Sequence, residues 1–138
     1  MEVTVQQIEN VKFSIQTRSH TILCDQPAEN AGEDSGMTPP ELMLASLGSC
    51  AAFYAVQYLK SRKLADNGVE VKITAEKLKQ PTRLGNFVIQ VNCPVSLTED
   101  QQTGLMRSVH SCLIHNTLLA PPAIDIQLNM AETALSHA

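Results

Sequence analysis

Two thiols stand in otherwise apolar helical text: Cys50 in Leu47-Gly48-Ser49-Cys50-Ala51-Ala52-Phe53-Tyr54, and Cys112 in Val109-His110-Ser111-Cys112-Leu113-Ile114-His115-Asn116. A thiol with a second thiol in reach performs two-electron redox chemistry without a metal or cofactor: one sulfur is oxidised and the other closes a disulfide. The sequence offers no other obvious chemical centre. At about 100° per residue, Met43, Leu47, Cys50, Tyr54 and Gln57 share one stripe of a first helix, and Leu105, Val109, Cys112 and His115 share one of a second. Two readings fit that placement. Either both cysteines are small core hydrophobes, or the helices cross and bring the sulfurs to a Cα separation of roughly 4.4–6.8 Å, within disulfide reach.

His115 follows Cys112 by three positions. Its imidazolium would lower a neighbouring thiol pKa, and it serves equally well as a solvated or capping residue at a helix end. His110 falls on the other side of the helix. A zinc site built from Cys50, Cys112 and His115 lacks the paired C-x-x-C spacing of a strong metal signature, so no metal is expected. Cys24 and Cys93 lie in strand-like text and read as structural. Met43, Leu47, Phe53 and Tyr54 are the side chains expected to line an apolar pocket beside Cys50.

The elements that must position these groups are legible in outline. Short alternating pieces around Val3 and Val5, at 12–17 and at 20–24 read as antiparallel strands, followed by a Pro-, Gly- and Asn-containing loop at 26–39. Thr38-Pro39-Pro40-Glu41 reads as a helix start, with a hydroxyl cap, proline in the first turn and a carboxylate three residues after the cap. That helix should run to Arg62 or Lys63, whose charges suit its negative end. Residues 69–75 and 86–92 read as two strands joined through Pro81 and Gly85. Thr98-Glu99-Asp100-Gln101 opens a second helix expected to continue through Leu113. Pro121-Pro122 stop it, and Ile124–Leu128 reads as a closing strand. The order of elements is that of a single α+β domain over 1–138.

Composition narrows the function. The 138 residues are 43% hydrophobic and 17% charged, which favours a packed core over disorder. A net charge of −4 with ten scattered Lys and Arg argues against a nucleic-acid partner. The run from Leu42 to Leu59 is uncharged and reaches the lower edge of a membrane span. Ser46, Gly48, Ser49 and Gln57 interrupt it, so it reads instead as a helix buried on nearly all sides, with no membrane partner. One small sheet cannot cover such a helix, and a homodimer is the expected solution. No basic cluster followed by an apolar stretch opens the chain, and the expected location is the reducing cytoplasm.

The stretch from Gly36-Met37-Thr38-Pro39-Pro40-Glu41-Leu42-Met43-Leu44-Ala45-Ser46-Leu47-Gly48-Ser49-Cys50, with Val109-His110-Ser111-Cys112-Leu113-Ile114-His115-Asn116-Thr117-Leu118 far downstream, resembles the OsmC/Ohr family of osmotically inducible and organic hydroperoxide resistance proteins. The resemblance covers nearly the whole chain. It implies an OsmC-like fold, with antiparallel sheets wrapped around long central helices in an intertwined homodimer. It also implies thiol-dependent reduction of organic hydroperoxides to alcohols, protecting against oxidative stress, with Cys50 as the peroxidatic and Cys112 as the resolving thiol. A Cys50 sulfenic acid would condense into a Cys50–Cys112 disulfide. No cofactor is implied; an external dithiol of lipoyl or thioredoxin-like type would reopen the bond. Peroxidase members pair the thiol with a glutamate ten residues before it and with an arginine on a glycine-rich N-terminal turn. Here Pro40 holds the first position, and Glu41 is turned about 100° from it toward a helix-capping role. Arg18 is the only candidate for the arginine. With no fixed cation, Cys50 is expected to have a raised pKa. The alternative function is a redox-sensing or hydrophobic-molecule-binding dimer on the same fold.

Overall fold

A computed structural model describes residues 1–132. Three strands come first: β1 (Thr4–Glu9), β2 (Lys12–Thr17) and β3 (His20–Cys24), in an antiparallel sheet of that order. Phe13 pairs with Cys24 and Ile15 with Ile22, so the period-two pattern read from the sequence is the observed register.

The loop after β3 is organised by Asp25, which is 1% exposed. Its carboxylate accepts from the Ser35 hydroxyl at 2.6 Å and from the amides of Gln26, Ser35 and Glu33 at 2.8, 3.0 and 3.1 Å. These bonds hold the carboxyl well below the usual carboxylate range, the Ser35 hydroxyl contributing most. Gly32 passes so close to the chain that a Cβ would lie 1.8 Å from the Gln26 carbonyl oxygen. Lys12 ties the loop to the sheet through ion pairs with Glu33 and Glu9.

Helix α1 (Pro39–Ser61) begins as its capping text predicts: the Glu41 carboxylate accepts from the Thr38 amide at 2.8 Å. Leu47, Ala51, Ala55 and Leu59, spaced four apart, form its buried stripe, together with Gly48. Within one chain this helix is covered along one face, and Met43 and Phe53 remain 40% and 57% exposed. Burial on nearly all sides is therefore not supplied by the chain itself, in line with the cover expected from a partner. By length and composition α1 also passes for a membrane span; its stripe packs on α2 and on the second sheet.

β4 (Glu70–Leu78) and β5 (Arg83–Asn92) form that second, antiparallel sheet. Both strands run further toward their turn than the sequence reading placed them, with Leu78 paired to Arg83. Gly85 lies inside β5, not in the connection. The register slips between Thr74 and Glu76, where Asn86, at a φ of 52°, is the extra residue on β5.

α2 (Glu99–His110) opens on Thr98, whose hydroxyl accepts from the Gln101 amide at 3.2 Å. It does not continue through Leu113. It stops at His110, and a separate short helix, α3 (Leu113–Leu119), follows with Cys112 as its cap. Ala51, Ala55, Leu59, Leu105 and Val109 make the core between α1, α2 and the second sheet, and no residue of β1–β3 belongs to it. The expected strand Ile124–Leu128 is absent. Ile124, Ile126, Leu128 and Met130 are 81–90% exposed in extended chain. A strand exists only when its backbone is paired, and neither sheet of the chain reaches this segment. The architecture is α+β, as the sequence predicts.

Candidate active site

Cys50 sits mid-way along α1, half-buried, on the turn between the fully buried Leu47 and Ala51. Cys112 is completely buried at the break between α2 and α3. The break is local backbone chemistry. The Ser111 and Cys112 amides bond three residues back, to Ser108 and Val109, which tightens the last turn of α2. Cys112 then takes a ψ of 126°, outside the helical range, and its sulfur accepts from the His115 amide at 3.5 Å. A thiol here does what a serine hydroxyl does at a helix start.

The consequence falls on Cys50. The first amides of a helix have no partner within it. Those of Leu113 and Ile114 lie close enough to the Cys50 sulfur to favour its anion, as does the Cys112 thiol. Burial pushes the Cys50 thiol up, but the Cys112 hydrogen bond and the Ile114 and Leu113 amides outweigh it and hold it below an ordinary thiol. Cys112 moves the other way: burial raises it, and so does its bond to Cys50. Cys24 and Cys93 are also raised by burial, Cys24 additionally by the Asp25 charge, and neither has a donor to favour its anion. All four thiols are free.

This corrects the expectation of a raised Cys50 pKa. That expectation rested on the absence of a fixed cation, and among the described residues none acts on the Cys50 sulfur. It did not count the amides freed where the second helix breaks before Leu113. The compensating charge comes from backbone dipoles and a neighbouring S–H.

The other expected site residues divide. Met43 and Leu47 line a cavity of about 580 Å³ together with Arg83, Leu84, Phe87 and Ile89 of β5 and His115, Leu118 and Leu119 of α3. Leu47 is one turn before Cys50 and His115 one turn after Cys112, so the cavity borders the thiol pair. Phe53 and Tyr54 are not part of it. Phe53 is turned roughly 240° from Leu47, and Tyr54 lies on the same stripe but about 10 Å further along the axis. The two rings stack edge to face at 5.4 Å, and the Tyr54 carbonyl accepts from the Ser108 hydroxyl of α2 at 3.0 Å.

Glu41 is taken up by its capping bond to Thr38. Arg18 stands exposed in the β2–β3 turn at a φ of 52°. It belongs to the first sheet, and it is not among the groups that set the ionisation of Cys50. His115 touches Cys112 through its backbone amide and not through its ring. Its Nδ1 is buried without a hydrogen-bond partner, and its ring centroid lies 5.5 Å from that of the exposed His110. Among the described residues no group of three or more His, Cys, Asp or Glu side chains is placed to hold a metal ion.

Arg83, Leu84, Phe87, Ile89, Leu118 and Leu119 are cavity residues that sequence reasoning missed, and Arg83 is the charged one. Residues 76–85 read as a hairpin connection, whereas Arg83 opens β5. The bulge at Asn86 shifts the alternation of the strand and brings Leu84 to the same face as Phe87 and Ile89, while the exposed Arg83 borders the cavity at the start of the strand. A basic residue next to a strand-forming run, four positions ahead of Phe87, was the only available signal.

The fold is similar to that of several solved structures. A structure titled a putative osmotic stress induced and detoxification response protein, from Psychrobacter arcticus 273-4, is 18% identical, with a TM-score of 0.76 over 83% of this chain and 85% of that one. An OsmC like protein from Mycoplasma pneumoniae is 19% identical, with a TM-score of 0.69 over 87% of each chain. An organic hydroperoxide resistance protein OsmC from Legionella pneumophila is 14% identical, with a TM-score of 0.62 over 86% of this chain and 89% of that one. No curated protein matches by sequence. The OsmC-like protein family matches residues 32–127, a span that holds α1, the second sheet, both thiols and the cavity, and the chain belongs to that family.

Proposed function

We propose that this protein is a thiol-dependent reductase of organic hydroperoxides. The observation that carries the reading is the divergence of two neighbouring thiols, Cys50 below and Cys112 above an ordinary cysteine, with an apolar cavity against the helices that carry them. The Cys50 thiolate attacks one peroxide oxygen. The O–O bond breaks, the alkoxide leaves and takes a proton to become the alcohol, and Cys50 is oxidised to the sulfenic acid. Cys112 then attacks that sulfur, water leaves, and a Cys50–Cys112 disulfide forms. An external dithiol, of lipoyl or thioredoxin-like type, reduces it by exchange. Cys112 suits the second role because it stays protonated while Cys50 reacts and lies near enough to shift its ionisation. Family membership and the likeness to a hydroperoxide resistance protein support the same reading. The cycle needs a reducing compartment, and the cytoplasm is the location we assign.

The test is consumption of cumene hydroperoxide against hydrogen peroxide with a dithiol present. Wild type is expected to turn over and to prefer the organic peroxide. Cys50→Ser is expected to be inactive, and Cys112→Ser to complete one turnover and accumulate sulfenic acid. An inactive wild type would favour the second reading, a redox-sensing or hydrophobic-molecule-binding dimer, which the volume and apolar walls of the cavity independently suit.

A further inference from the structure

Helix α3 is held mainly at its start. It is seven residues long with no fully buried residue, and Leu113 and Leu119 are 62% and 70% exposed. A helix this short does not stand alone in water, and extended chain through Pro121-Pro122 follows it. Its first intrahelical bond runs from the Asn116 amide to the Cys112 carbonyl oxygen at 3.0 Å. The amides of Leu113, Ile114 and His115 must therefore find partners outside the helix. All three are taken up by the two sulfurs. The His115 amide donates to Cys112 at 3.5 Å, and those of Leu113 and Ile114 lie close enough to Cys50 to favour its anion. The thiol pair is thus the seat of α3 as well as a redox couple.

A disulfide is a poorer seat. When the bond closes, the two thiols give up two protons and two electrons to the oxidant, and the sulfurs draw together to about 2.0 Å. No thiolate remains. Hydrogen bonds to an ionised acceptor are roughly twice as strong as neutral ones, so the Leu113 and Ile114 amides lose most by the change. The Cys112 sulfur also turns from the His115 amide toward Cys50, which takes the cap from the helix. Cys112 is completely buried in the reduced chain, and α3 supplies His115, Leu118 and Leu119 to the cavity wall.

We infer that α3 is a redox-sensitive lid: closing the Cys50–Cys112 bond withdraws both sulfurs from its first turn, and the loosened helix uncovers the disulfide. This takes its purpose from the two-thiol cycle proposed above, though its test does not depend on that cycle. Seated, α3 walls the cavity and seals Cys112. Unseated, it lets the product alcohol leave and an external dithiol reach a sulfur that the reduced chain buries. Reduction restores the thiolate and reseats the helix.

The experiment follows amide hydrogen exchange along the whole chain, reduced and after oxidation with diamide, whose N=N bond takes up the two hydrogens of the thiols. Non-reducing peptide mapping checks for the Cys50–Cys112 bond. Amides of 113–119 are expected to exchange about tenfold faster in the oxidised chain, the order set by loss of a cap, while those of α2 and the second sheet keep their rates. Cys112→Ser keeps a hydroxyl cap and cannot close the bond, so its 113–119 amides should not respond to diamide. Absence of the Cys50–Cys112 bond, equal exchange of 113–119 in the two states, an acceleration shared equally by α2, or a 113–119 response in Cys112→Ser would overturn the inference. Diamide forms the bond whether or not the protein reduces peroxides, so cumene hydroperoxide turnover separates the two claims. An α3 response without turnover keeps the lid and removes the peroxidase reading. Turnover with α3 unchanged removes the lid alone.

Discussion

The Cys112 thiol neighbours the Cys50 sulfur as its donor, and the pairing drives their ionisations apart: Cys50 is held below an ordinary thiol and Cys112 above it. Desolvation alone would raise both. The asymmetry comes from the break between α2 and α3. It turns the Leu113 and Ile114 amides toward Cys50, and it leaves Cys112 as both the cap of α3 and a donor to Cys50. One backbone irregularity thus assigns different roles to two chemically identical groups.

Loss of the Cys112 donor should raise the Cys50 pKa. A lowered pKa means that the thiolate, and with it the rate of alkylation by iodoacetamide, is gained at a lower pH than for an ordinary thiol of pKa about 8.5. In Cys112→Ala the midpoint of that profile should move upward, because the hydrogen bond is lost while burial stays. Cys112→Ser keeps a donor and should move it less. The profile is read on Cys50 by peptide mapping. A wild-type midpoint at or above 8.5, or no change in Cys112→Ala, would contradict the assignment.

Gly104 is the close-approach point between α1 and α2. A Cβ there would lie 2.4 Å from the Tyr58 hydroxyl and 2.7 Å from its ring. Tyr58 is further held by Arg62, whose guanidinium stacks 5.5 Å from the ring centre. Gly104→Ala should therefore cost about 1–3 kcal/mol, the usual range for overpacking, although alanine is the better helix former. Urea denaturation of the two proteins checks it, and a variant as stable as wild type would show that Tyr58 moves aside freely.

Asp25 makes stability depend on acid. Its folded pKa is depressed, so its contribution is fully present above the unfolded carboxylate pKa of about 3.9 and is lost as pH falls below it. Asp25→Asn should melt at a lower temperature than wild type at neutral pH, since a carboxamide offers one acceptor oxygen to four donors. The gap should narrow as pH drops toward 3. A gap that stays constant across that range would mean that the carboxylate charge is not what the loop uses.

Much of this arrangement is written in local text. The Thr38 to Glu41 cap and the first three strands follow from residue type and period. The α1 stripe does not: the expected face of Met43, Leu47, Cys50, Tyr54 and Gln57 shares only Leu47 with the buried one, Leu47, Ala51, Ala55 and Leu59. The thiol pair was legible as two inward stripes, since each cysteine falls at helical spacing from a residue that is buried. The Ser111–Cys112 break was not, because neither residue is a helix breaker and the apolar spacing runs straight through it; only the third dimension gives the freed amides a sulfur to face. Arg83 was hidden because the alternation is clear only from residue 86 onward, which left 83 in the connection. Leu84 was hidden by the bulge, which changes which side chains face inward and which no single residue announces. Ile124–Leu128 shows the reverse case, in which the alternation is clear and the pairing is not found within the chain.

That last segment carries a prediction about assembly. Ile124, Ile126, Leu128 and Met130 alternate with polar residues, and all four are exposed, as are Val5, Ile8, Ile22 and Leu23 of the first sheet. A stripe of this kind is costly in water, and the first sheet adds no residue to the main core cluster of its own chain. A second copy can cover both, and a homodimer is the state we predict. Light scattering should give twice the chain mass at micromolar concentration, with an interface of obligate size, upward of roughly 2,000 Å². Amides of 124–130 should exchange slowly, as paired strand does and free chain does not. Ile126→Asp places a charge on the buried side of that pairing and should weaken the dimer and lower the melting temperature together. A monomeric wild type with fast exchange at 124–130 would refute the prediction.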